Sequence, residues 1–143
     1  MRRSQASPSG LWSEPGGAHQ AAFDALNAGD LEGLLALMDP AIEIRSLAIK
    51  SRRGDWFHGY VGVRTWWEAL TATYDGMAFE LRSLQAEGDR AVAELRAQFV
   101  VGAVDVETGG WQSVRFRRGR ILTWARWETE AEARESVEMA RAQ

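Results

Sequence analysis

The chain has 143 residues, a mass of 15.9 kDa, a net charge of −3 at pH 7 and a pI near 5.4. That is the size of one domain able to bury its own core, and the acidic balance argues against a nucleic-acid partner, which needs a surplus of positive charge on at least one face. Without cysteine there is no disulfide, thiolate metal site or cysteine nucleophile, which fits a cytoplasmic location, and no apolar run reaches the roughly 18 residues a membrane span requires.

Residues 1–17, MRRSQASPSGLWSEPGG, begin with two arginines but lack the apolar stretch of a signal peptide. Their Ser, Gly and Pro content predicts a flexible tail ahead of a domain over 18–143, with Trp12 as a surface anchor or a lid over a pocket. From Ala18 to Ala28 good helix formers place Ala22, Phe23 and Leu26 on one side, and Gly29 is suited to end the helix. Asp30 can cap a second helix whose Leu31, Leu34, Leu35 and Met38 follow the i, i+3, i+4, i+7 stripe, closed by Asp39-Pro40. Ala41 to Leu47 alternates as a strand, Ala48 to Gly54 is polar and irregular, and a short strand follows at Asp55 to His58. Gly59 and Gly62 then bracket a turn into a third helix, with Val63, Trp66, Trp67, Leu70 and Tyr74 on its apolar face.

The second half of the chain changes period. Met77 to Ala86 and Ala91 to Val101 are predicted as two long strands joined by Glu87-Gly88-Asp89. A loop around Thr108-Gly109-Gly110 leads to a hairpin over Trp111 to Thr129, turning at Arg118-Gly119. The tip arginines, Arg115, Arg117, Arg118 and Arg120, are expected to be solvated rather than to hold a phosphate. Thr129 and Glu132 form a capping box that opens a final helix to about Arg141. Helices gathered on one face of an antiparallel sheet make an α+β domain. A strongly curved sheet of this kind would leave a concave pocket.

Four of these segments carry a resemblance. Ala25 to Pro40, Phe57 to Arg64, Val114 to Ile121 and Glu132-Ala133 resemble, in order and spacing, the opening helix pair, the third-helix entry, the closing hairpin and the last helix of SnoaL-like proteins of the nuclear transport factor 2-like superfamily. The resemblance implies a cone-shaped, curved antiparallel sheet wrapped around N-terminal helices, a cystatin-like roll. It further implies a homodimer and a mostly apolar pocket at the wide end that works without a cofactor. Polyketide cyclases, isomerases, dehydratases and epoxide hydrolases share that shape, so fold does not fix function.

Proton-transfer chemistry in such a pocket needs a carboxylate or a histidine held away from water. The candidate proton carriers are His58, taken as the one histidine of the folded part, with Glu43 and Glu128. Candidates for ligand contact are Arg45, Trp56, Tyr60, Trp67, Arg96, Gln112, Trp124 and Arg126. Glu43 with Arg45, and Arg96 with Gln98, share strand faces by the period of two. Those faces would form a polar network if turned into the cone, or cross-strand ion pairs if turned out. The aspartates that isomerases and cyclases of this family carry on later strands have no counterpart, since Trp111 to Thr129 contains none. Two histidines far apart give no metal-ligand spacing, and no metal is expected. Seven tryptophans are the most distinctive feature, and those not consumed by the core would line a pocket for a planar or polycyclic apolar molecule. Three functions stay open: a pocket protein for such a molecule, a cofactor-free acid/base enzyme acting on one, and a structural dimerisation module.

Overall fold

The computed structural model describes residues 15–49 and 54–139. The expectations for Trp12 and most of the leading segment lie outside that range. In chain order the elements are α1 (Pro15–Ala28), α2 (Leu31–Ala36), β1 (Met38–Arg45), β2 (Trp56–His58), α3 (Gly59–Thr73), β3 (Gly76–Glu87), β4 (Arg90–Val101), β5 (Val104–Arg117), β6 (Arg120–Trp127) and α4 (Glu130–Ser136). The strands form one six-stranded sheet in the order β2-β1-β6-β5-β4-β3. All neighbours are antiparallel except β1 and β6, which run parallel, so the fully antiparallel sheet expected from sequence is corrected at that pair.

The helix starts follow local chemistry. Asp30 caps α2 by accepting from the Gly33 amide at 2.9 Å, and Thr129 with Glu132 makes a reciprocal capping box at α4. At the β5–β6 turn Arg118 and Gly119 both take positive φ, 54° and 80°. That is the signature of the two-residue turn whose twist matches its strands. Beside it Arg117 donates twice to Asp39, at 2.7 and 3.1 Å, clamping the hairpin to β1. The Arg117 guanidinium holds the Asp39 carboxyl below the usual carboxylate range.

Several boundaries depart from expectation. Helix α2 stops at Ala36 and the strand begins at Met38, so Asp39-Pro40 lies within β1. Pro40 cannot donate to a ladder, and the β1–β6 register shifts between Met38 and Glu43, around that proline. Helix α3 begins at Gly59 itself. Thr108-Gly109-Gly110 is no loop but part of β5, paired with Leu95, Arg96 and Ala97 of β4. The α4 helix is shorter than expected and ends at Ser136.

The sheet has two covered faces of unequal weight. On the concave face α1, α2 and α3 bury the main core, including Phe23, Leu34, Ile42, Val63, Leu70, Val114, Ile121 and Trp124. On the opposite face α4 covers a smaller cluster of Val92, Ala133, Val137 and Met139 with Trp111 and Trp127. Edge strand β3 is tied to α1 by Asn27. Its side-chain amide accepts from the Phe79 N–H at 2.7 Å and donates to the Phe79 carbonyl at 2.8 Å, as a neighbouring strand would.

Candidate functional site

The concave face keeps a hollow. An inner cavity of about 50 Å³ is walled by Phe23, Trp66, Leu70, Phe79, Leu95, Phe99 and Trp124, with Gln112, Arg126 and the segment 44–48 completing it. Past Leu47, Ala48, Phe99 and Arg126, which border both spaces, a wider hollow of about 590 Å³ opens, lined also by Tyr74, Val106, Thr108 and Glu128. The inner space has room for a few waters. The outer one is in the range of small-molecule sites.

Alternation along the strands explains the lining. Gln112 of β5 lies opposite Arg126 of β6, and Val114 opposite Trp124, so these side chains share the concave face. Gly110 precedes Gln112 by two on that face, and a Cβ there would stand 2.7 Å from Arg126 Nη2. The missing side chain is therefore what lets the guanidinium lie over β5. The aromatic wall is set edge to face: Trp66 and Phe23 each meet Trp124, with ring centroids 6.3 and 6.1 Å apart.

The polar groups on this lining are donors. Gln112 Oε1 is 2.6 Å from His19 Nε2. An amide oxygen can only accept, so His19 carries its proton on Nε2 and the Gln112 NH₂ is left for the cavity. Ser46 Oγ already accepts from the Ile49 amide at 3.1 Å and from Trp66 Nε1 at 3.3 Å, leaving its own O–H. Trp124 Nε1 and Arg126 Nε are buried without a partner. Among the described residues no carboxylate pairs with the Arg126 guanidinium, and burial holds its pKa below the usual arginine value. Desolvation likewise pushes the fully buried His19 down to about 4, so it is neutral at physiological pH.

The residues singled out from sequence divide sharply. Arg45, Gln112, Trp124 and Arg126 line the inner cavity, and Glu128 faces the outer hollow with Arg126. The Arg45 charge is already engaged: it donates to Asp55 at 3.0 Å and to the Arg126 carbonyl at 2.6 Å, and lies 4.2 Å over the Trp127 ring. Glu43 and His58 pair with each other across β1–β2 at 3.1 Å, about half exposed and away from the cavity. Arg96 is also outside, bridged to Glu107 at 3.4 Å. Trp56 is half-buried on β2, Trp67 packs edge to face on Trp66, and the Tyr60 hydroxyl donates to the Met38 carbonyl at 2.9 Å; none of the three lines the cavity. Among the described residues no cluster of His, Cys, Asp or Glu could hold a metal ion.

His19 was missed as a folded-part residue. The signal for it was present: 19, 22, 23 and 26 continue the same i, i+3, i+4, i+7 stripe, and all four are buried.

Known structures share this architecture. A structure of TerC co-crystallised with polyporic acid superposes with a TM-score of 0.69 at 19% identity, covering 92% of this chain and 99% of its own. An estradiol-17β-hemisuccinate complex of RV0760c from Mycobacterium tuberculosis gives 0.67 at 19% identity, covering 78% and 91%. An epoxide hydrolase of the LEH-like kind from the same organism gives 0.65 at 15% identity, covering 85% and 86%. No curated protein matches by sequence. The model of the SnoaL-like domain matches residues 19–124, from the buried histidine of α1 to the cavity tryptophan of β6, and the chain belongs to that family.

Proposed function

We propose that this protein binds an apolar, ring-containing small molecule in the hollow of its concave face. The observation that carries the proposal is an aromatic-walled inner cavity that shares Leu47, Ala48, Phe99 and Arg126 of its lining with a space of about 590 Å³. Similar structures were solved with polyporic acid and with an estradiol derivative, which supports a ligand of that general kind. The inner lining offers hydrogen-bond donors and aromatic faces but, among the described residues, neither a carboxylate nor an imidazole. Those groups hold a ligand rather than move its protons.

One observation favours an acid/base enzyme as the second reading: Glu128 is a carboxylate facing the outer hollow, within the same space as Arg126. Binding and turnover separate experimentally. Trp66 and Trp124 line the cavity, so a fitting aromatic compound is expected to change intrinsic tryptophan fluorescence saturably. Ala48→Phe, which adds bulk at an exposed position lining both spaces, is expected to abolish the change while leaving the melting temperature unaltered. A response that survives the substitution would place binding elsewhere. Turnover of a bound compound that is lost in Glu128→Gln would establish the second reading.

A further inference from the structure

We infer that the ligand is an organic monoanion, a ring-bearing carboxylate or comparably acidic oxygen acid, whose oxygens are received by Arg126, the Trp124 indole N–H and the Gln112 amide. The inference rests on the pocket reading above and names the class of molecule that the pocket takes.

Three features of the site point the same way. The first is the one-sidedness of its polar groups. His19 occupies the Gln112 oxygen and Trp66 with Ile49 occupies the Ser46 oxygen, so what remains toward the cavity is N–H and O–H. A buried donor without an acceptor is costly, and a ligand oxygen supplies what the protein withholds. The second is Arg126. An arginine is permanently charged and its guanidinium is planar and forked to match a carboxylate; Arg126 is part-buried, with its Nε buried and unpartnered, a position where a carboxylate partner is normally found. Here Asp55 is engaged by Arg45 and Glu107 by Arg96, and no described carboxylate reaches Arg126. The third is Gly110, the one position on the cavity face of β5 where a side chain would displace that guanidinium.

Glu128 sets the charge limit. It shares the outer hollow with Arg126 but forms no ion pair with it, so a second negative charge on the ligand would meet a like charge. The aromatic part of the ligand rests against Phe99, Tyr74 and Val106, and its acid group reaches inward to Arg126.

Titration calorimetry with 2-naphthoate and its neutral counterpart 2-naphthamide tests this. The acid is expected to bind at least tenfold more tightly than the amide. Arg126→Gln is expected to erase that preference by weakening naphthoate far more than naphthamide. Gly110→Ala should also weaken naphthoate selectively, because its Cβ displaces the Arg126 guanidinium, and an unchanged melting temperature checks that the closer approach to the Trp127 carbonyl, 3.3 Å away, is accommodated. Glu128→Gln should tighten naphthoate more than naphthamide. Equal binding of acid and amide, or a preference that persists in both Arg126→Gln and Gly110→Ala, overturns the inference and leaves the pocket reading standing. Failure of both probes to bind overturns both.

Discussion

His19 links the site to the stability of the fold. Its ring lies edge to face on Phe23, its Nε2–H holds Gln112, and its Nδ1 has no partner, so protonation would bury an uncompensated charge. The folded chain holds its pKa at about 4 against an ordinary 6.5. Above pH 6.5 the residue is neutral whether the chain is folded or not, and its contribution is complete. As pH falls from there toward 4, the unfolded chain takes up a proton that the folded chain refuses. At pH 4.5 the loss should amount to about 2–3 kcal/mol. Urea denaturation of wild type and His19→Leu at pH 7 and pH 4.5 measures it: the variant is expected to be weaker at both values, yet to lose less between them. Identical losses would remove His19 as the cause. Residue by residue, the sequence spoke clearly about which side chains share a strand face and poorly about which way that face turns. Glu43 and Arg126 are both charged strand residues, and only closure of the sheet sends one outward and the other in. Glycine 110 was legible as a backbone feature but was taken for a loop, since its partner in space, Arg126, lies across a hairpin.

Among the elements, those with a strong period and local punctuation were the most legible. Helix α3, with its buried Val63, Trp66 and Leu70, and the β5–β6 hairpin with its Arg118-Gly119 turn are where the pattern predicts them. Strand β1 was misjudged at its start because Leu31 to Met38 satisfies a helical stripe, while tertiary pairing of Met38 with Ile121 wins over it. Nothing in the sequence announces the role of Asn27. A side-chain amide that caps both polar groups of Phe79 shields an edge strand that would otherwise be open to another chain. Asn27→Ala is expected to cost about 1–2 kcal/mol, at the low end for an exposed site. It should also speed hydrogen exchange at the Phe79 amide more than at its neighbours in β4. Unchanged exchange there would mean that the amide is protected by something other than Asn27.

For the molecule as a whole, the resemblance in four short segments identified the architecture because their order and spacing follow the connectivity of the fold, whereas the cavity depends on how far the sheet bends. The parallel β1–β6 pair is the part of that bend which no local pattern encodes. It also imposes a timetable on assembly. Met38 must find Ile121, and Arg45 must find Ala125, each about 80 residues further on. Contacts that distant are slow to form, and a ribosome releases the early strand long before its mate exists. A chain stopped at Gly119 would possess β3, β4 and β5 yet offer β1 no neighbour on that side, and it is expected to melt without a cooperative transition and to be digested by trypsin at low dose. Cooperative melting of that fragment would show that the long-range pairing is not the closing step. If it is, the nascent protein keeps the aromatic residues of its future cavity exposed until about the last sixth of the chain has been made, and chaperone demand should peak in that interval.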